Sequence, residues 1–180
     1  MNAARDVQAV SGYLTQSDCE TPTVEKLKLL IAEDSTTENM RLTSMLSKLG
    51  YEVLSARNGR EALDILNDEP IPFIISDWRM PELSGIDLCR KLRADDKYGQ
   101  PYFILLTGCD APMDLVAGME AGADDFITKP FIGEELRVRL QAGTRIMRLR
   151  NQLQEQYKHQ QDKLASFYGE HYHGGLLKVY

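Results

Sequence analysis

A chain of 180 residues with 43% hydrophobic and 27% charged residues holds one ordinary domain of roughly 150 residues plus an extension, and its composition excludes a disordered polypeptide. Its net charge of −6 excludes the whole-surface basic footprint of a nucleic-acid-binding domain. No apolar run approaches the roughly 18 residues of a membrane span, and no basic segment followed by an apolar one opens the chain as a signal peptide would. Cys19, Cys89 and Cys109 are too few for a disulfide framework and too scattered for a zinc cluster, so the expected compartment is the cytoplasm.

Residues 1–26, with a net charge of −2, are rich in Ser, Thr, Gln and Asp and keep no period. They are read as a flexible leader. From Leu27 short apolar runs begin to alternate with amphipathic stretches: LKLLIAE, STTENMRLTSMLSKLG, YEVLSAR, GREALDILND, PFIISD, GIDLCRKLRADD, PYFILLT, MDLVAGMEAG, DDFIT and EELRVRLQAG. Apolar runs interleaved with helical patterns predict βα units whose parallel strands are buried on both faces. The fold class is therefore α/β, a doubly wound five-stranded parallel sheet over residues 27–142. Gly50 closes the first helix, Gly59 opens the second, Pro72 starts the third strand, Asp110 and Pro112 open the fourth helix, and Gly122 ends it.

From Glu134 to Phe167 the sequence lacks proline and has a single glycine, Gly143, so the last helix is expected to continue as an extension over 143–168. The body 27–142 has a net charge of −7 and residues 143–180 have +3. Ile146, Leu153, Tyr157, Leu164 and Phe167 fall on alternating three- and four-residue steps when Arg150 and Gln160 share the stripe. Polar residues in two such places predict a weak coiled coil, and hence a homodimer through this helix. A single amphipathic helix lying on its own domain is the alternative. In the tail, 169–180, His171 and His173 are read as part of a frayed end rather than a metal pair.

Ligands of open α/β sheets bind outside the carboxyl ends of the strands. There the first strand ends in Glu33-Asp34, the third in Asp77, the fourth in Thr107 and the fifth in Thr128-Lys129-Pro130. A parallel sheet brings three carboxylates, a hydroxyl and an ammonium to one crevice. Hard oxygen donors of this kind suit Mg²⁺, which commonly takes one or two carboxylates and completes its octahedron with water and phosphate oxygens. Lys129 and Thr107 could stabilise the oxygens of a transferring phosphoryl group.

The elements IAED, ISDWRMPELSG, LLTG and AGADDFITKPF, with 43 residues from Asp34 to Asp77, 30 more to Thr107 and 22 more to Lys129, together resemble the receiver domain of two-component response regulators, a (βα)5 flavodoxin-like fold. The resemblance implies that Asp77 is the phosphoacceptor, taking a phosphoryl group from a sensor histidine kinase or a histidine phosphotransfer protein. It implies that Asp34 and Asp77 bind Mg²⁺ directly, with the backbone carbonyl of Arg79 as a further ligand and Glu33 acting through water. Thr107 and Lys129 would contact the phosphoryl oxygens, Phe126 would be the aromatic switch residue, Met80-Pro81 and Gly85 would shape the loop after Asp77, and Pro130 would follow a cis bond. Arg79 and Cys109 depart from the commonest family choices beside the route of attacking water. The extension also resembles linkers that join receivers to diguanylate cyclase or phosphatase output domains. A phosphohydrolase with an Asp nucleophile is the competing class, but that pattern puts D-x-D-x-T at the first strand end, whereas Asp77 follows the third. A receiver acting only as an interaction module is a third reading, opposed by the complete acidic set.

Overall fold

In the computed structural model, which describes residues 26–108 and 112–172 and side chains there other than those of 112–115 and 167–172, five apolar runs form strands β1 (Lys28–Ala32), β2 (Glu52–Ala56), β3 (Phe73–Asp77), β4 (Tyr102–Thr107) and β5 (Asp125–Thr128). The helices between them are α1 (Thr36–Lys48), α2 (Gly59–Asp68), α3 (Gly85–Ala94), α4 (Pro112–Glu120) and α5 (Gly133–Tyr172). All pairings are parallel and the strand order is β2-β1-β3-β4-β5, the flavodoxin-like order whose reversal lies between β1 and β3. Cys19, Cys109, Asp110 and His173 lie outside the described residues, as do all but the last residue of the expected leader and the tail after Tyr172.

The strands read as continuous apolar runs because the sheet has a core on each side. Leu30, Ala32, Ile74, Phe103 and Leu105 pack with Leu63 and Leu66 of α2 and Leu88 and Leu92 of α3. The alternate residues Leu29, Ile31, Phe73, Ile75, Ile104 and Leu106 pack with Leu42 and Leu46 of α1 and Leu136 and Leu140 of α5. This alternation follows from the period of two along a strand. Cys89 is buried in the first of these cores, where loss of solvation pushes its thiol up to about 11, so it stays a neutral packing residue.

Helix starts carry the side chains that satisfy their free amides. Ser35 Oγ accepts from the Glu38 N–H, Asn58 Oδ1 from Glu61 and Ser84 Oγ from Asp87, each an N-cap interaction. The third helix is shorter than its apolar pattern suggests. It ends at Ala94, and Asp95 Oδ1 accepts the Lys97 N–H at 3.1 Å to start a 3-10 turn over Asp96–Tyr98 that Gly99 closes at φ 68°. The local side-chain bond competes with a continued helix and prevails there.

Helix α5 starts at the carboxyl edge of the sheet, runs back across it and continues past the opposite edge as one helix. Gly143 permits the crossing, since a Cβ there would stand 2.7 Å from a ring carbon of Tyr102 and 2.9 Å from one of Phe73. Beyond Met147, which is partly buried on the α1/α5 core, every described side chain through Ser166 is exposed. The expected stripe is exposed as well, with Leu153 at 56%, Tyr157 at 68% and Leu164 at 57%.

Candidate functional site

Side by side in the sheet, β1 and β3 deliver their first residues past the ladder to the same edge. Glu33 still bonds to the sheet, its N–H donating to the Ala56 carbonyl at 3.0 Å. Its carbonyl accepts from Asn39 Nδ2 at 3.3 Å and its carboxylate Oε1 accepts the Ser35 N–H at 3.2 Å. These contacts hold Glu33 with only 2% of its surface exposed. Asp34, one residue on, is exposed and borders a cavity of about 320 Å³ shared with Asn39, Ser55, Arg57 and Glu61.

Lys129 joins the two acids that sequence spacing separates by more than forty residues. Its Nζ donates to Glu33 Oε2 at 2.7 Å and also to Asp77 Oδ1. The other Asp77 oxygen, Oδ2, accepts the backbone N–H of Arg79 at 3.0 Å. Burial pushes the Glu33 carboxyl above the usual carboxylate range, against the opposing pull of Lys129, while the nearby Asp77 charge pushes the same way as burial. Burial acts to lower the Lys129 ammonium, yet its bonds to Asp77 and Glu33 outweigh it and hold the group above its ordinary value. The crevice thus keeps a bound cation of its own between two carboxylates, which would otherwise repel each other.

Backbone geometry fixes these side chains. The Trp78 N–H donates to the Leu106 carbonyl at 2.9 Å and the Gly85 N–H to the Trp78 carbonyl at 3.1 Å, so the loop after Asp77 folds back onto the strand ends. A Cβ at Gly85 would lie 2.1 Å from the Asp77 carbonyl oxygen, an approach only glycine permits. Thr107 is 8% exposed, its hydroxyl donating to the Gly108 carbonyl at 3.4 Å and its own carbonyl accepting the Lys129 N–H at 2.7 Å. The Lys129–Pro130 bond is cis, as the resemblance implied. Phe126 is half-buried and packs on the core that contains Leu105 and Ala123.

The structure therefore brings Glu33, Asp77 and Lys129 into direct contact and sets Thr107 on the adjacent strand end. The Arg79 guanidinium extends to within 3.9 Å of where a Cβ would stand at Gly108, on the Thr107 side of the crevice. Sequence reasoning missed Asn39, which ties α1 to the Glu33 carbonyl and accepts the Ser55 hydroxyl at 2.6 Å; an amide inside an amphipathic helix gives no signal of that role. It also missed Asp124 and Asp125, which hold Arg150 and Arg139 of α5, because two acids at the start of an apolar run give no signal of that role. Among the described residues no three acidic, His or Cys side chains converge into a self-sufficient metal cage.

A family profile for the response regulator receiver domain matches residues 29–141. The chemotaxis protein CheY homolog of Campylobacter jejuni is 35% identical over 117 residues, covering 64% of this chain and 90% of that protein. The signal receiver domain of a signal transduction histidine kinase from Syntrophus aciditrophicus superposes with a TM-score of 0.62 at 40% identity, covering 64% of this chain and 88% of that one. A probable two-component response regulator/GGDEF domain protein gives 0.64 at 32% identity over 68% of this chain and 50% of the other. The receiver domain of a sensor histidine kinase from Pseudomonas aeruginosa PAO1, with a magnesium ion coordinated in its active site cleft, gives 0.61 at 29% identity over 65% of this chain and 96% of the other. With its strand order, its crevice and a family match over most of the sheet domain, this chain belongs to the response regulator receiver family of two-component signal transduction.

Proposed function

We propose that Asp77 is the residue phosphorylated, that the donor is the phosphohistidine of a sensor kinase or phosphotransfer protein, and that the chain works in the cytoplasm as a switch with slow self-hydrolysis. The observation that carries this reading is the pair of Lys129 bonds to Glu33 and Asp77. They hold the Asp77 carboxylate oriented, with a cation at hand for incoming phosphoryl oxygens. A carboxylate oxygen of Asp77 attacks phosphorus, the phosphorus–nitrogen bond breaks, and the imidazole leaves with the electron pair and gains a proton. The nucleophile's charge is lost on esterification, so Lys129 exchanges a carboxylate partner for a phosphoryl oxygen. Thr107, at the next strand end, donates its hydroxyl to another phosphoryl oxygen. Phe126, half-buried before the event, sinks further as Thr107 moves.

The residues fit Mg²⁺ by the chemistry of their donors. Asp34 is exposed beside the crevice and Asp77 stands at its centre, which gives the one or two carboxylates that the ion commonly takes, with water and phosphate oxygens completing the shell. Glu33 acts through water because its own carboxylate is engaged by Lys129 and Ser35, and the Arg79 carbonyl adds a neutral oxygen. When bound, the ion would offset the charge of the phosphoryl oxygens. Self-association through the α5 extension is the output we assign. The same helix would suit a junction to an output domain in a longer regulator, as in the receiver/GGDEF neighbour. The test is intact-mass measurement after incubation with acetyl phosphate and Mg²⁺: one phosphoryl group is expected on the native chain and none on Asp77→Asn, whose amide is nearly isosteric but not nucleophilic. Equal labelling of the Asn variant would refute the assignment.

A further inference from the structure

Asp124, the residue before β5, gathers three elements at the sheet edge opposite the acidic crevice. Its Oδ2 accepts from Arg93 Nη2 and from the Phe103 N–H, both at 2.8 Å. Its Oδ1 accepts from Arg150 Nη2 at 2.9 Å. Arg93 is held independently, donating to the carbonyls of Gly122 at 2.8 Å and Pro101 at 3.0 Å. Asp124 Oδ1 is thereby left to Arg150.

The place of Arg150 on its helix gives that contact meaning. At about 100° per residue, Arg150 lies on the border between the buried face of α5, made by Leu136, Leu140, Gly143 and Met147, and the exposed stripe of Ile146, Leu153, Tyr157 and Leu164. In the three-four spacing it fills a slot within that stripe. Past it, residues 151–166 extend roughly 24 Å with every side chain exposed. An unsupported helix of that length is marginal in water. A second copy of this chain is the occupant that fits. The stripe is self-complementary by repeat, and of its flanking residues past Arg150, which are Gln154, Gln156, Gln161 and Lys163, Gln156 of one copy faces Gln161 of the other in a parallel pair without repulsion.

We propose that Asp124 is a latch for a parallel homodimer of these helices. By holding Arg150 against the end of β5 in its own chain, it keeps two guanidiniums from meeting across the seam. The latch rests on the dimer reading above and goes beyond it, since it makes the receiver body decide whether its extension can pair.

Sedimentation equilibrium of the full chain, with Asp124→Asn, Arg150→Leu, Arg150→Gln and the Asp124→Asn/Arg150→Leu pair, tests it. The Asn oxygen can still accept from Phe103 and Arg93, while its NH2 turns toward Arg150 and opens the latch. Association should weaken about tenfold in Asp124→Asn, tighten in Arg150→Leu, and show no Asp124 dependence once Leu is at 150. Arg150→Gln should associate as the native chain does, because the latched arginine already costs the seam nothing. A tenfold tighter Arg150→Gln dimer would overturn the latch without relying on any change at Asp124. An equal Asp124→Asn effect in both backgrounds, or none in either, would overturn it too. If Arg150→Leu stays monomeric at every concentration, the second copy itself is the wrong occupant.

Discussion

Replacing Lys129 by Met keeps an apolar stem of similar length and removes only the ammonium that bridges Glu33 and Asp77. Glu33 is 2% exposed and has the larger burden, because burial already pushes its carboxyl upward and Lys129 is the first of the groups opposing that push. Removing one partner of a buried ion pair costs about 3–5 kcal/mol. The Lys129 side chain is 25% exposed, so water reaches it and the expected cost at pH 8 is nearer about 2 kcal/mol, within the range for an unsatisfied buried polar group. The sign with pH follows from the direction of the shift. A carboxyl whose folded value lies above its unfolded one contributes stability in full below roughly pH 4.3 and loses it as pH rises through the folded value. Losing Lys129 moves that folded value further up, so the variant should be close to native stability near pH 5 and fall behind between pH 5 and pH 8. Urea unfolding of both proteins at pH 5, 6.5 and 8, without divalent ions, measures the difference. A deficit that is the same at all three values would refute the role of the ammonium as the counter-charge of Glu33.

Other expectations are shorter. In the native chain the Lys129 ammonium is held above its ordinary value, so its contribution is intact below about pH 10.4 and lost above it; a stability decline there that Lys129→Met lacks is the expected signature. Saturating Mg²⁺ should raise native stability by about 2.7 kcal/mol at a hundredfold excess over its dissociation constant, and Asp34→Asn should remove most of that gain in thermal unfolding. Gly85→Ala sets a methyl group 2.1 Å from the Asp77 carbonyl oxygen and should destabilise by about 3 kcal/mol or more, with phosphorylation slowed because the Asp77 backbone must shift; a native urea midpoint would contradict the close approach.

The strands were legible because each carries apolar residues toward two cores at once, leaving a run that a one-sided strand would lack. The crevice residues were legible for the same reason, since polar side chains at the end of such a run stand out. What the pattern could not convey was pairing. Nothing in the spacing of Glu33, Asp77 and Lys129 says that one ammonium serves both acids, because that depends on how far a flexible four-carbon stem reaches past the end of β4 toward β3 and β1. The end of α3 was misjudged by two residues because Asp95 turned a side chain onto the backbone, a choice local propensity barely distinguishes. The fifth strand begins at Asp125 rather than Asp124, and the reason is tertiary. Asp124 donates its N–H to the Phe103 carbonyl at 2.9 Å and accepts the Phe103 N–H on its carboxylate, so a side chain replaces the last rung of the ladder and is held there by arginines from α3 and α5.

These two ends of β5 explain how one phosphoryl charge could govern a helix on the far side of the sheet. The long route runs from the crevice along α5, from Gly133 to Arg150, roughly 26 Å of helix whose buried face is packed throughout. The short route is β5 itself. Lys129 follows its carboxyl end and Asp124 precedes its amino end, five residues apart and about 17 Å along an extended strand. The strand is paired to β4 from Ile104 to Thr107. At one end Lys129 would trade carboxylates for phosphoryl oxygens; at the other, Asp125 holds Arg139 at 2.9 Å and Asp124 holds Arg150, both on α5. A change in the contacts at either end is a differential interaction between two states, which coupling requires and distance alone does not supply. By reciprocity, dimerisation through a seam that depends on Asp124 would strengthen the hold of Lys129 on the phosphoryl group, so that assembly and phosphorylation each favour the other.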